Sequence, residues 1–149
     1  MRFLGSIEAK TDAKGRVFLP ATFRKVLQTS GTESLVMNKD SFQDCLVLYP
    51  QSVWDEQVDL LRSKLSRYNA EHQNTYRQFV MYAESVTLDG NGRFLIPKSF
   101  LQKAGIAQEV KFVGMGDTIE IWSPEKLEAS RMDSKEFGQA LESIMSATF

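Results

Sequence analysis

Two stretches of the chain decide its fold: residues 12–23 read DAKGRVFLPATF, and residues 89–100 read DGNGRFLIPKSF. They align without a gap at an offset of 77 residues; Asp, Gly, Arg, Pro and Phe coincide, and three apolar residues separate Arg from Pro in both. A second similarity links residues 44–50, DCLVLYP, with residues 117–124, DTIEIWSP, since each is a β-rich run with an aromatic residue and then a proline at its end. Self-similarity of this extent indicates two copies of one structural unit.

Each copy is predicted to begin with a β-hairpin and to continue into a short helix. Asp followed by Gly three residues later is typical of a turn, because the Asp side chain caps its own backbone and Gly accepts a positive φ. Pro20 and Pro97 suit the first turn of the helices, and Gly31 and Gly105 are natural ends for them. The predicted hairpin strands are residues 6–10 with 16–19, and residues 85–88 with 93–96.

Two further strands are predicted in each copy, near residues 35–37 and 46–49 and near residues 110–113 and 118–122. One copy is too small to bury both faces of its strands, so we expect the two copies to intertwine in one pseudo-symmetric barrel. The predicted fold class is therefore mainly β with helices, an α+β fold.

Helices are predicted between the two copies and after the second. Core packing is the favoured interpretation of an amphipathic stripe in the first of these helices, and a subunit contact is the alternative. A second helix is predicted through residues 76–82, a third opens at residues 123–124, and a capping box at residues 133–136 opens a fourth. The members of the stripe are Trp54, Val58, Leu61, Leu65 and Tyr68.

Length and composition describe a globular chain whose charge is unevenly distributed. The 149 residues are 42% hydrophobic and 25% charged, which fits a folded protein and not a disordered one. No apolar run approaches the roughly 20 residues that cross a bilayer, and the N-terminus lacks the apolar core of a signal peptide, so we expect a cytoplasmic protein without a membrane partner. The net charge of −1 hides basic segments: residues 1–32 carry +4, and residues 62–88 and 89–116 carry +2 each, against −5 for residues 33–61 and −4 for residues 117–149.

The chain lacks the residues that most enzyme sites need. Cys45 is the single cysteine and His72 the single histidine, which excludes an intrachain disulfide and any site of two histidines. Residues 89–92, DGNG, open like a calcium loop, but Arg93 stands fifth and no glycine is sixth, so the pattern breaks. They are not a dinucleotide fingerprint either, since the third glycine is missing. We therefore expect no enzyme activity, no cofactor and no metal site.

The remaining distinctive feature is an arginine beside each turn, Arg16 in the first and Arg93 in the second. One interpretation is a local pair with Asp12 or Asp89 that rigidifies the turn, although an exposed pair of this kind contributes only ~0–1 kcal/mol. The other is that the turns present guanidinium groups to DNA, because arginine suits bidentate contact with phosphate or with guanine O6 and N7. On the second interpretation, phosphate contacts would come from Lys10, Lys14, Arg24 and Lys25.

At these residues the chain resembles the MraZ family, bacterial regulators related to the AbrB and SpoVT transition-state regulators. The family pattern, Asp-x-x-x-Arg in each of two tandem repeats, stands here as residues 12–16, DAKGR, and residues 89–93, DGNGR. The match covers nearly the whole chain. It implies a double-split β-barrel formed by two AbrB-like repeats, with linker and C-terminal helices. The implied organisation is one pseudo-symmetric unit over residues 1–149, with a first repeat at 5–52, a helical linker at 53–83, a second repeat at 84–126 and a C-terminal helical tail at 127–149.

The resemblance also implies a sequence-specific DNA-binding transcription regulator, in this family usually a repressor, of the cell-division and cell-wall gene cluster that carries its own gene. Its place would be the bacterial cytoplasm, in association with the nucleoid. The implied DNA contacts are Arg16 and Arg93, braced by Asp12 and Asp89. The first motif has a basic residue, Lys14, where the second has none, so we expect the first repeat to contribute more binding energy.

The resemblance further implies that the chains assemble into a homo-oligomeric ring. Subunits related by head-to-tail rotation present the same face in the same sense. The DNA element upstream of the gene should therefore carry direct repeats about one helical turn, ~10 bp, apart, and avidity over neighbouring subunits would supply the affinity. The rival function class is a ring-forming protein-interaction scaffold that does not bind DNA, and the overall acidity favours it.

Overall fold

The structure, a computed structural model, describes residues 2–31 and 34–147, which fold into eight strands and six helices. The strands are β1 Ser6–Lys10, β2 Arg16–Phe18, β3 Leu35–Lys39, β4 Leu46–Pro50, β5 Glu84–Val86, β6 Arg93–Leu95, β7 Glu109–Gly114 and β8 Ile119–Trp122. The helices are α1 Ala21–Ser30, α2 Gln51–Ser63, α3 Ala70–Val80, α4 Lys98–Ala104, α5 Pro124–Ser130 and α6 Ser134–Met145. The predicted α+β fold class is confirmed. None of the helices in these two ranges is long and apolar enough to cross a membrane.

Strands of the two repeats are interleaved in the sheets. Six strands form an antiparallel sheet in the order β1-β7-β8-β4-β3-β5, and β2 pairs with β6 in a separate two-stranded ribbon. The pairs β3–β4 and β7–β8 are hairpins of single repeats, whereas β1–β7, β4–β8 and β3–β5 join one repeat to the other. Exchanging the repeats, β1 for β5, β3 for β7 and β4 for β8, leaves the strand order unchanged. The repeats therefore intertwine with pseudo-twofold symmetry, and the barrel is split between the large sheet and the ribbon.

The structure corrects the prediction that the strands on either side of each Asp-to-Arg turn pair with one another. The turns do form, since the Asp12 N–H donates to the Arg16 carbonyl and the Asp89 N–H to the Arg93 carbonyl, both at 2.8 Å. Beyond the turns the strands diverge: β1 pairs with β7 and β5 with β3, whereas β2 and β6 pair with each other. A two-stranded hairpin alone is marginally stable. Pairing with the other repeat instead lets each strand bury its apolar residues in a shared core.

One hydrophobic core takes its residues from both repeats. The helices α1 and α4 begin directly after the two prolines and end at glycines in the left-handed conformation, φ 74° at Gly31 and φ 66° at Gly105, as predicted. Complete burial of a Phe, Leu or Ile side chain contributes about 1.5–3 kcal/mol. The largest fully buried side chains are Phe3, Phe23, Phe100, Phe112, Leu19, Leu35, Met37, Leu46, Leu48, Ile96, Ile119 and Ile121.

Helices α2 and α3 meet through aromatic side chains at the edge of the core. The ring of Trp54 lies 5.1 Å from that of Tyr49 and stacks at 5.3 Å on that of Phe79, centroid to centroid. The favoured prediction that the stripe packs in the core is not confirmed: Trp54, Val58, Leu61 and Leu65 are half-buried outside the core, and Tyr68 is fully exposed. The buried residue of α2 is Val53. Helix α2 ends earlier, at Ser63, and a new helix starts at Ala70, where the side chain of Asn69 accepts the N–H of His72 at 3.1 Å.

Helix α6 starts as predicted and then presents its apolar residues to solvent. The side chain of Asp133 accepts the N–H of Glu136 at 2.8 Å, which is half of the predicted capping box. None of the residues of α6 is buried. Its exposed apolar side chains are Phe137, Leu141, Ile144 and Met145.

Candidate nucleic-acid interface

Loop 1, residues 12–16, is a turn in which an aspartate fixes an arginine. Oδ1 of Asp12 accepts the backbone N–H of Lys14 and that of Arg16, each at 2.9 Å. Oδ2 of Asp12 accepts the Nε–H of Arg16 at 2.7 Å. One carboxylate therefore holds both the backbone of the turn and the side chain that ends it.

Loop 2, residues 89–93, repeats this geometry. Oδ1 of Asp89 accepts the backbone N–H of Asn91 at 2.9 Å and that of Arg93 at 3.0 Å. Oδ2 accepts the Nε–H of Arg93 at 3.0 Å. Both arginines are thus held through Nε, and neither donates a hydrogen bond through Nη1 or Nη2 to the residues that the structure describes. Those groups remain for another partner.

Both aspartates are charged at neutral pH. The hydrogen bond from the Arg16 backbone N–H is the largest cause that lowers the pKa of Asp12. The Arg93 backbone N–H lowers the pKa of Asp89 in the same way. An ordinary Asp side chain, with a pKa of about 3.9, is already ionised at pH 7. The lowered pKa values therefore keep the two clamps intact throughout the neutral range.

A glycine in each loop ties it to the other repeat. Gly15 and Gly92 have φ of 88° and 81°, a conformation that other residues rarely adopt. The carbonyl of Gly15 accepts the N–H of Ile96 at 2.9 Å, and that of Gly92 accepts the N–H of Leu19 at 3.0 Å. A Cβ on Gly15 would lie 2.7 Å from the Ile96 carbonyl oxygen. The two loops are therefore held beside the two ends of the β2–β6 ribbon.

The ribbon places both arginines on one outward face. Its register pairs Arg16 with Leu95 and Phe18 with Arg93, while the central pair between them is buried. Because side chains alternate across a strand, these four residues share the opposite face. Phe18 is 55% exposed and Leu95 52% exposed. The guanidinium carbon of Arg93 lies 5.8 Å from the centre of the Phe18 ring. We call this set, Arg16, Phe18, Arg93 and Leu95, the ribbon face.

Sequence reasoning missed Phe18 and Leu95. Each is the middle residue of the apolar triplet that lies between Arg and Pro. A strand that starts with an outward arginine turns its third residue outward as well. The alternation of side chains along a strand could therefore have identified Phe18 and Leu95, because it separates the middle residue of each triplet from the two buried residues beside it.

Three other predicted contacts lie close to the loops in sequence or in space. Lys14 is exposed within loop 1, and Lys25 is exposed on α1. Arg24, also on α1, contacts the protein: its Nη1 donates to the Asn91 carbonyl of loop 2 at 3.2 Å. The structure therefore brings Arg24 to the second loop, although it comes from the first repeat.

Lys10 has acidic surroundings. It lies at the end of β1, where the register pairs it with Glu109 of β7. A shallow pocket of about 250 Å³ lies beside Lys10, and Glu8 and Glu109 also line it. Glu8 pairs with Lys111 at 3.9 Å, whereas Glu109 lies directly opposite Lys10. Opposite charges across a strand pair attract each other, so Glu109 partly offsets the charge of Lys10.

One cluster has the composition of a metal site. The Sγ of Cys45 and carboxylate oxygens of Asp40 and Glu120 lie within 4.8 Å of one another. The carboxylates already have partners, since Asp40 accepts two N–H groups of its own turn and Glu120 accepts the indole N–H of Trp122. Burial raises the pKa of the Cys45 thiol above its ordinary range, so without a metal this group is a neutral thiol at neutral pH. Local hydrogen bonds therefore account for both carboxylates of the cluster.

Comparison with known proteins identifies the family. A family model described as "MraZ protein, putative antitoxin-like" matches residues 2–78 and again residues 79–141. The "Transcriptional regulator MraZ" of Phocaeicola vulgatus is 59% identical over 97% of this chain and 94% of its own length. Proteins of the same name from Bacteroides fragilis and Bacteroides thetaiotaomicron are 57% and 55% identical, over 97% of this chain and 92% and 93% of their own lengths. All three are named as regulators and not as enzymes, in agreement with the prediction. The chain, with its two matching repeats, belongs to the MraZ family.

Proposed function

We propose that this protein is a sequence-specific DNA-binding transcription regulator that reads DNA with the ribbon face. The observation that carries the proposal is the outward placement, on one two-stranded ribbon, of two arginines that are each clamped through Nε. A two-stranded β-ribbon fits the major groove of B-DNA, which is about 12 Å wide. The names of the relatives support a role in transcription.

The chemistry of the ribbon face matches the edges of base pairs. With Nε held by aspartate, the Nη groups of Arg16 and Arg93 are available for the O6 and N7 of guanine. Phe18 and Leu95 suit the C5 methyl group of thymine. The two arginines are diagonal neighbours, about 7–8 Å apart at Cα, which is close to two base-pair steps of about 3.4 Å each.

Phosphate contacts would position the ribbon without reading sequence. Lys14 and Lys25 are exposed and belong to residues 1–32, the most basic segment of the chain, with a net charge of +4. Lys10 belongs to this segment too, but Glu109 opposite it reduces its contribution. The weak charge of a single subunit makes avidity over several neighbours the source of usable affinity.

The proposal includes a homo-oligomeric ring. The exposed apolar side chains of α6 suit contact with a neighbouring subunit, because a helix that buries none of its apolar face in its own chain gains stability by covering it. Neighbours in a ring would meet direct repeats in the DNA, in phase with its helical turn of about 10 bp. The target would be the DNA upstream of the protein's own gene in the cell-division and cell-wall cluster. Repression is the proposed outcome, in the cytoplasm at the nucleoid.

A fluorescence-anisotropy titration tests this function. The protein should bind the duplex upstream of its own gene more tightly than a scrambled duplex of the same composition. The affinity should fall linearly with salt on a log–log scale. Arg16→Ala should weaken specific binding by about tenfold or more, the loss of one bidentate base contact, with circular dichroism and oligomeric state unchanged. Arg131→Ala is the matched control, since it removes the same charge from an exposed pair with Glu128 and should bind like the wild type.

The rival function, a ring-forming scaffold for other proteins that does not bind DNA, is favoured by the overall acidity of the chain, whose net charge is −1. The same titration discriminates the two functions. Equal and weak affinity for both duplexes, unchanged in Arg16→Ala, would support the scaffold and contradict the DNA-reading ribbon. Loss of folding in Arg16→Ala would favour the interpretation that the clamp serves to rigidify the turn.

A further inference from the structure

The two loops rest on different side chains, although the repeats place the supporting residues at equivalent positions. Arg24 of α1 and Leu101 of α4 are 77 residues apart, the same offset that relates loop 1 to loop 2. Arg24 lies against loop 2, and Leu101 lies against loop 1. The helix of each repeat therefore supports the loop of the other repeat, with a cationic side chain in one case and an apolar side chain in the other.

Arg24 makes a polar and a steric contact with loop 2. Its Nη1 donates to the carbonyl of Asn91 at 3.2 Å. Its guanidinium covers the Cα of Gly92 so closely that a Cβ there would overlap Nη1. No carboxylate among the described residues pairs with Arg24. The polar partner of this cation in residues 2–31 and 34–147 is thus the backbone of loop 2.

Loop 1 has no equivalent anchor. The Cδ1 of Leu101 lies 3.6 Å from the position of a Cβ on Gly15, which is an ordinary van der Waals contact. The carbonyl of Lys14, the counterpart of the Asn91 carbonyl, accepts no backbone hydrogen bond from the part of the chain that the structure describes. The contacts common to both loops therefore hold loop 1, and loop 2 has one charge-assisted hydrogen bond in addition.

We infer that Arg24 is a positioning residue for the DNA contact of the other repeat. It anchors the backbone between Asp89 and Arg93, and so holds the turn that aims the guanidinium of Arg93 outward. On this inference Arg24 acts through Arg93, because its Nη1 donates to the backbone of loop 2, between the aspartate and the arginine of the clamp. The inference rests on the proposed DNA-binding function, and it replaces the prediction that Arg24 is a simple phosphate contact.

Hydrogen exchange of the full-length protein without DNA tests the anchor. Arg24→Leu places in α1 the residue that α4 already has at the equivalent position. Millisecond exchange, followed by mass spectrometry, should be about three- to tenfold faster in peptides of loop 2, the factor that one lost hydrogen bond represents, and unchanged in peptides of loop 1. Lys25→Ala removes the same charge from the same helix and should alter neither loop. Equal exchange in Arg24→Leu and wild type would overturn the anchor.

A second variant tests the anchor independently, in case Arg24→Leu does not fold. In Gly92→Ala the new Cβ occupies the place of the guanidinium, so Arg24 is displaced while its charge remains. The increase in exchange at loop 2 should exceed the local increase around residue 5 in Gly5→Ala, which has a Cβ at φ 87° in open space and so measures the strain of the positive φ alone. Unchanged exchange of loop 2 with Arg24 displaced would also overturn the anchor.

A double-mutant cycle in the DNA titration tests whether Arg24 acts through Arg93. The double variant Arg24→Leu, Arg93→Ala should bind DNA no more weakly than Arg93→Ala alone, because the positioned side chain is already absent. A phosphate contact would instead make the two losses of affinity multiply in the double variant, and its log–log salt slope would be about one unit lower than that of Arg93→Ala alone. That result would contradict a positioning role. If neither Arg16→Ala nor Arg93→Ala affects DNA binding, the proposed function fails, whereas the exchange result on the anchor still stands by itself.

Discussion

Loop 1 and loop 2 have the same turn and different surroundings. In both, an aspartate accepts two backbone N–H groups and the Nε–H of an arginine, at distances between 2.7 and 3.0 Å. Loop 1 carries its own cation, Lys14, and rests on the apolar Leu101. Loop 2 has Asn91 at the corresponding position and obtains a cation from the first repeat, Arg24. The local motif therefore determines the shape of a loop, and tertiary neighbours determine its support and charge.

The largest expected difference concerns DNA affinity. Arg16→Ala and Arg93→Ala should each weaken specific binding by about 1–3 kcal/mol per contact, and a ring multiplies the loss over the subunits engaged. We expect the larger loss for Arg16→Ala, because Lys14 beside it keeps loop 1 close to phosphate. Parallel anisotropy titrations at fixed salt measure both. Equal losses would show that the cation of loop 1 gives no advantage.

A second difference concerns stability. Gly15→Ala should destabilise the fold more than Gly92→Ala, because its Cβ would lie 2.7 Å from the Ile96 backbone oxygen, whereas the Cβ on Gly92 meets a flexible arginine side chain. Gly5→Ala is the matched control, since Gly5 has φ 87° and open space around it. Chemical denaturation should show that the control loses about 1–2 kcal/mol of unfolding free energy, the cost of a left-handed conformation. Gly15→Ala should lose roughly 1 kcal/mol more, because the new Cβ strains the hydrogen bond between Ile96 and Gly15. If Gly15→Ala loses no more unfolding free energy than the control, the backbone around Ile96 shifts to accept the Cβ without destabilising the fold.

A smaller effect should follow from exchanging the middle residues of the loops. Lys14→Asn should lower the log–log salt slope of DNA binding by about one unit, and Asn91→Lys should raise it by about one unit. The double variant, which moves the cation from loop 1 to loop 2, should restore the wild-type slope. Titrations at four or five salt concentrations measure this. A slope that stays low in the double variant would show that loop 2 does not approach phosphate.

The smallest expected effect is that of pH. The pKa values of Asp12 and Asp89 are lowered in the folded protein from the ordinary Asp value of about 3.9. The charged carboxylates therefore stabilise the loops above that pH, and the stabilisation is lost as the pH falls through the lowered pKa. Amide chemical shifts of Arg16 and Arg93 should stay constant from about pH 8 to pH 5 and change only below about pH 4. Asp12→Asn, which cannot ionise, is the control, and its Arg16 amide shift should not change in this pH range. A change of the Arg16 amide shift near neutral pH in the wild type would contradict a lowered pKa for Asp12.

Much of the local structure was predictable. The turns at loops 1 and 2, the helix starts after Pro20 and Pro97 and the helix ends at Gly31 and Gly105 agree with the structure. Each depends on residues a few positions apart, and the side-chain chemistry of Asp, Pro and Gly restricts the backbone directly.

The pairing of the strands was not predictable in the same way. Residues 6–10 and 16–18 flank one turn and nevertheless belong to different sheets. Neighbouring strands with a turn between them favour a hairpin in any local interpretation. The shared core decides otherwise, because it is formed by side chains that are far apart in sequence, such as Phe23 and Phe100.

The sequence alone determined that this chain has two equivalent units, each with an aspartate-clamped arginine at a turn, because a repeat and a turn are visible in the order of residues. Only the tertiary structure decided that the two units interlock, that both arginines lie on one ribbon face with Phe18 and Leu95 beside them, and that Arg24 of the first unit contacts the second loop. The physical reason is burial: strands choose partners that cover their apolar faces, and a strand's partner determines which side chains remain on the surface.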